Sequence, residues 1–266
     1  MIFLGDYVDR GPAIRRVLEI VRGMVTSGDA LAIMGNHEHN AIHYHLPDDQ
    51  GDFLRPHIEK NIRQHAVTMA QFSDHREERA NHIAWFAQLP LWLDLGGLRA
   101  VHATWDAKLI NSRPEWQRPG LEWITASADR ESEAFAFAET VLKGLEVPLP
   151  VGYIFTDKEG ARWRKIRARW WMNFSEKTYH ELCLPTSDAV PHLTVPETKA
   201  ALGRGHAEDA PPVFFGHYWL NHERSPQPLA PNLACLKAWP NSTINLLAAV
   251  VGSDEPGPAH SRRPLG

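Results

Sequence analysis

Two short stretches near the start of the chain carry residues suited to chemistry. The first reads Phe3-Leu4-Gly5-Asp6-Tyr7-Val8-Asp9-Arg10-Gly11-Pro12, the second Ile33-Met34-Gly35-Asn36-His37-Glu38. Each is an apolar run that ends in glycine and then in groups able to bind a metal or a phosphate. The carboxyl end of a buried strand delivers a reactive loop in this way. Two later stretches also place a histidine after a short apolar run, Ala100-Val101-His102-Ala103 and Phe214-Phe215-Gly216-His217. Asp6, Asn36, His102 and His217 thus each follow a short apolar strand. A carboxylate, an amide oxygen and two imidazoles form a mixed O/N donor set, which suits Mn, Fe or Zn better than Ca or Mg. Arg10 adds a planar fork that can take two phosphate oxygens.

The elements that must position these groups read as strand, helix, strand. Residues 1–4 form a buried strand, and Pro12 suits the first turn of a helix. Ile14, Val17, Leu18, Val21 and Val25 recur at helical spacing to about Ser27, and Gly28 ends the run. Residues 31–34 form the next strand, so the pair is parallel with a crossover helix. Further helices are expected over about 56–72, 77–89 and 131–144. A hairpin is expected around Gly96-Gly97. Residues 152–171 alternate and look extended, with a turn at Asp157-Lys158-Glu159-Gly160. Short strands are expected at 213–215, 234–236 and 246–251, and residues 253–266 read as a disordered tail.

Composition excludes several classes. The 266 residues allow one large domain or two small ones, with a formal net charge of −4. That balance gives no global pull toward nucleic acid or an acidic membrane. No apolar run approaches the ~20 residues needed to span a bilayer. The first residues lack the basic lead of a signal peptide. Cys183 and Cys235 have no metal or redox spacing, so a reducing cytoplasm is the default. Fifteen histidines suit metal chemistry, and ten tryptophans need a separate reading.

Some candidates have a plain structural alternative. A lone histidine after a strand is ordinarily a hydrogen-bonded core residue. Glu38 at a helix start is favoured by the dipole and reads as structural. His39, His43 and His45 have metal-like spacing but suit roles at the surface or behind a ligand. The basic, aromatic segment from Arg162 to Trp171 has three readings. It is an amphipathic strand with packed tryptophans and wet arginines, a strand that points Arg167 and Arg169 at substrate phosphates, or a nucleic-acid platform.

The two opening stretches resemble two signature motifs of the calcineurin-like metallophosphoesterases, GDxxDRG and GNHE, at every fixed position. The contexts of His102 and His217 resemble the family's later VH and GH motifs. Residues 152–158, Trp170-Trp171 and 214–219 look like a bacterial branch whose relatives include protein-type and dinucleoside-tetraphosphate phosphatases. The resemblance runs from Met1 to about Leu236. It implies an α/β fold, the four-layer α/β/β/α metallophosphoesterase sandwich, as a single domain over 1–252 with a cap insertion at about 104–210. It places Asp6, Asn36, His102 and His217 at one metal, with Asp6 bridging to a second. Mn2+ is the first choice of ion, with Fe or Zn as alternatives. The implied reaction is hydrolysis of a phosphomonoester or phosphoanhydride by in-line attack of a metal-bound hydroxide. His37 would be the general acid, Asp9 would hold and polarise it, and Arg10 would bind the phosphate. The partner is then a small phosphorylated substrate or a phosphoprotein.

The chain also departs from that family. The earlier Asp-x-His motif would precede residue 1, and Trp219 stands where a Gly-His-x-His ligand would fall. One metal site is therefore complete, and the other holds Asp6 alone. The first strand, central in the family's sheet, is also missing, and its loss is expected to leave neighbouring backbone groups unpaired. Two expectations compete: a start codon further upstream, or a truncated, non-catalytic remnant that binds one metal or phosphate. A nucleic-acid-end phosphatase is a third reading. After Leu236, Lys237-Ala238-Trp239-Pro240 replaces the expected closing hairpin, which suggests divergence or a frame change.

Overall fold

The computed structural model describes residues 1–156, 160–218 and 228–236, with the backbone of 246–247. Strand Ile2–Phe3 (β1), helix Ile14–Thr26 (α1) and strand Leu31–Ala32 (β2) come first. Helices Asn36–His45 (α2), Glu59–Gln71 (α3) and Arg76–Phe86 (α4) precede a hairpin of Trp92–Asp94 (β3) and Arg99–Val101 (β4). Ala107–Ser112 (α5), a 3-10 turn at Pro114–Gln117, Leu121–Ala126 (α6) and Glu133–Lys143 (α7) follow. Next come strands Glu146–Pro148 (β5), Phe155–Thr156 (β6), Arg162–Trp163 (β7) and Lys165–Arg167 (β8), then helices Tyr179–Leu182 (α8) and Glu197–Ala200 (α9). Val213–Phe215 (β9), Leu233–Cys235 (β10) and Leu246–Leu247 (β11) complete the order.

Seven of the strands fall into two sheets, β11-β1-β2 and β10-β9-β4-β3. β1 and β2 run parallel with Ile2 opposite Leu31, and α1 makes the crossover between them. β4, β9 and β10 are also parallel, and β3 pairs antiparallel with β4. The pleat sorts side chains to opposite faces. Ile2 and Leu4 join Ile33, Leu93 and Ala100 in an apolar cluster drawn from both sheets. Phe3 turns the other way, into the main core with Ile14, Leu18 and Val21 of α1.

Pairing at β1 corrects one expectation. The open flank anticipated from a missing first strand is filled at Ile2 and Phe3, where Leu247 and Leu246 pair antiparallel. An exposed ladder accepts whatever strand can align with it, in either direction. The rest of the expected 246–251 strand lies outside the described residues. So do Trp219, residues 157–159 of the expected turn, residues 237–240 and the tail.

The segment expected as a cap divides in two. Ile110, Trp123, Ile124, Phe137, Val141 and Leu142, from α5 to α7, pack into the main core with Trp92 and Val101. Val147, Ile166, Phe174, Tyr179, Leu182 and Val195 form a separate cluster around the β5–β8 ribbon. α5 and α6 escaped the sequence reading because six-residue helices are too short to show a period. No described helix is long and apolar enough to cross a membrane.

Candidate metal centre and its cleft

The two signature loops are held together by their glycines and by Glu38. A Cβ at Gly5 would lie 2.5 Å from the Gly35 nitrogen, and one at Gly35 would lie 2.6 Å from the Asp6 nitrogen. Only glycine permits so close a backbone approach, and Gly5 also has φ +89°. The Glu38 carboxylate is fully buried and accepts three backbone N–H groups: Asp6 at 2.8 Å, Tyr7 at 2.7 Å and Gly35 at 3.0 Å. Its bond to Gly35 is the return half of a capping box on α2. Burial raises the Glu38 pKa, and the neighbouring Asp6 charge adds to the effect. The structural reading of Glu38 matches this placement, as a clamp that joins one loop to the other.

Four strand ends bring the candidate ligands together. His102 is fully buried, and its Nδ1 lies 2.5 Å from the Leu4 carbonyl. A carbonyl only accepts, so Nδ1 carries a proton and Nε2 is the ring nitrogen left to face the site. That atom faces Asn36 Oδ1 at 3.0 Å and Asp6 Oδ1 at 3.2 Å. His217 Nδ1 lies 2.9 Å from the same Asn36 oxygen. Asp6, His102 and His217 each offer one donor atom within 4.8 Å of the others. A carboxylate, an amide oxygen and two imidazoles converging at these distances form a donor set that fits a divalent metal. Asp6 (φ 65°), Asp9 (φ 69°) and His217 (φ 60°) all adopt left-handed backbone. Non-glycine residues in that region cluster at functional sites.

Asp9 is the centre of a second network. His37 Nδ1 donates to Asp9 Oδ2 at 2.8 Å, and His65 Nδ1 to Oδ1 at 2.6 Å. The Thr68 hydroxyl donates to Oδ1 at 2.8 Å while accepting from the Asp9 nitrogen at 2.8 Å. Burial pushes the Asp9 pKa up, but the hydrogen bonds from His37 and His65 and the histidine charges outweigh it and leave it at about 2. Burial opposes protonation of His37, yet the Asp9 bond and the Asp6, Asp9 and Glu38 charges raise its pKa. His65 and Thr68 were missed in the sequence. They sit at i and i+3 on α3, and Gln71 continues that face, accepting from the Ile14 nitrogen at 2.7 Å and donating to the Gly11 carbonyl at 3.1 Å. The polar period on α3 was the available signal.

A cleft of about 480 Å³ opens over these groups. Asp6, Asp9, Arg10, Asn36, His37 and His217 line it, together with Arg167 from β8. Arg167 Nη1 donates to His217 Nε2 at 3.1 Å. His217 therefore carries its ring proton at Nδ1 in this arrangement, and holding a cation there requires the other tautomer. Arg169 points elsewhere: it donates to the Thr186 hydroxyl at 2.7 Å and is not part of the cleft wall.

The remaining candidates have structural placements. His39 and His43 are buried, not at the surface, bonded to Ser127 at 2.8 Å and to the Ile124 carbonyl at 2.8 Å. His45 Nε2 lies 3.1 Å from His65 Nε2, one step behind Asp9. Trp170 and Trp171 pack on Phe215, with ring centroids 5.2 and 5.5 Å away. These two rings are thus spent inside the fold rather than offered for stacking.

A model of the calcineurin-like phosphoesterase family matches residues 1–160. The match takes in Asp6, Asn36, His37 and His102 and more than half of the chain, and the chain belongs to this family. The class is that of metal-dependent phosphoester hydrolases, which use divalent ions. No curated protein matches the chain.

Proposed function

We propose that this protein hydrolyses a phosphomonoester or phosphoanhydride in the cleft, with Asp6, Asn36, His102 and His217 as the metal ligands. The observation that carries the reading is the convergence of Asp6, His102 and His217, with the His102 ring held through Nδ1 by the Leu4 carbonyl so that Nε2 faces two oxygens. A divalent transition ion, Mn2+ before Fe or Zn, supplies Lewis acidity there and acidifies water near neutral pH. The chain supplies the rest. Arg10 and Arg167 line the cleft where phosphate oxygens need donors. His37, anchored through Nδ1, keeps Nε2 for the leaving oxygen, and Asp9 fixes its tautomer and favours its charged form. We read residues 1–252 as one domain acting on a small phosphorylated substrate or a phosphoprotein. The setting is cytoplasmic in this reading, in keeping with two buried free thiols.

Turnover of p-nitrophenyl phosphate tests this. Activity in Mn2+ should vanish on chelation, return when Mn2+ is restored, and be lost in Asp6→Asn. Turnover that survives chelation would overturn the reading. Metal binding without any turnover would favour a non-catalytic remnant.

A further inference from the structure

The cleft continues past the metal end to a second cationic site. On α2, His37, Asn40, Ala41 and Tyr44 all line it, at the i, i+3, i+4, i+7 spacing of one helix face. From Asn36 to Asn40 that face advances by about one turn, roughly 5–6 Å. There stands Arg55, half-buried in the wall, with Asn61, Arg63 and Gln64 beside it. Its Nη1 donates to Asn40 Oδ1 at 2.7 Å and its Nη2 to Gln64 Oε1 at 2.6 Å. Both acceptors are neutral amide oxygens, and among the described residues Arg55 makes no ion pair. A guanidinium has five N–H donors, so three remain. Burial lowers the Arg55 pKa, opposed by the more distant charges of Asp9 and Glu139. A partly desolvated guanidinium, aimed by two amides and in direct contact with no carboxylate among the described residues, is suited to an anion from outside.

We propose that Arg55 forms a second phosphate subsite, so that the preferred substrates carry another phosphate on the leaving-group side, as phosphoanhydrides do. This rests on the metallophosphoesterase reading of the same cleft. It selects the phosphoanhydride over the simple monoester, because His37 and Asn40, which holds Arg55, lie along one helix face, and a leaving group that takes a proton from His37 reaches the guanidinium.

The test compares orthophosphate with methylenediphosphonate, a non-hydrolysable two-phosphate ligand, as inhibitors of p-nitrophenyl phosphate turnover by the Mn2+-loaded chain. The diphosphonate should bind at least about tenfold more tightly, the worth of one charge-assisted hydrogen bond. Arg55→Met should remove most of that preference. Arg113→Met, which deletes a charge paired with Glu133 outside the cleft, should retain it. If Arg55→Met fails to fold by circular dichroism, Arg55→Lys serves, since a lysine cannot present the fork and the preference should still fall. Equal inhibition by the two ligands in the unmodified protein would overturn the subsite, as would full preference in Arg55→Met or Arg55→Lys. If the chain shows no turnover, the same ligands are titrated by calorimetry. A preference for the diphosphonate then supports the subsite while counting against hydrolysis, and equal affinity overturns the subsite.

Discussion

Asp9 shows how much of the chemistry rests on one side chain. It takes hydrogen bonds from His37, His65 and Thr68, and with a pKa of about 2 it remains a carboxylate throughout the neutral range. Against the opposing effect of burial, its hydrogen bond and its charge raise the His37 pKa. Replacing His37 by Ala should lower kcat by about 10²–10⁴. The loss should be greater for alkyl phosphates, whose leaving oxygen needs the proton, than for p-nitrophenyl phosphate. Equal losses on both would show that His37 is not the proton donor. His65→Ala should give a smaller loss with the same leaving-group bias, since it loosens Asp9 and leaves His37 in place. At this scale the sequence displayed Asp6, Asp9, Asn36 and His37, because each lies in a short fixed pattern. It did not display His65 or Thr68, because they reach Asp9 across 56 and 59 residues of chain and sit in an ordinary polar helix.

The elements explain why those patterns contain what they do. The glycines of the two loops have a packing reason, since the Gly5 and Gly35 backbones meet. Gly35→Ala forces a Cβ to within 2.6 Å of the Asp6 nitrogen and should lower the thermal midpoint by several degrees, with loss of metal affinity. An unchanged midpoint would contradict the close approach. Glu38→Ala removes the acceptor of three buried N–H groups, and leaving buried donors unmade costs about 1–3 kcal/mol each at most. The resulting destabilisation should be on the order of 3 kcal/mol in urea unfolding, and a change below about 1 kcal/mol would show the clamp to be dispensable. Helix α1, the parallel pair it joins and the Trp92–Val101 hairpin were legible because period and turn residues agree over enough chain. α5 and α6 were not, nor was their membership of the main core, because burial there comes from single contacts such as Trp123 beside Phe137.

At the scale of the whole molecule, buried neutral histidines link stability to pH. Burial pushes His43 down to about 4 and His39 well below its usual value. Between about pH 6.5 and 4 the unfolded chain takes up protons that these folded rings refuse, so stability is full above 6.5 and falls with pH through that window. Each contributes up to about 1.4 kcal/mol per pH unit. Urea midpoints at pH 7.5 and 5.5 should differ, and His43→Gln, which can still donate to the Ile124 carbonyl, should narrow the gap. An identical gap would contradict this. The molecule as a whole gathers four strand ends, from both sheets, onto one candidate metal site. The most direct test of that convergence is calorimetric titration of the metal-free protein with Mn2+, set beside His102→Ala and His217→Ala. The expected result is saturable binding to the unmodified chain, weakened at least tenfold in either variant. Affinity unchanged in both variants would place the metal elsewhere and contradict the site.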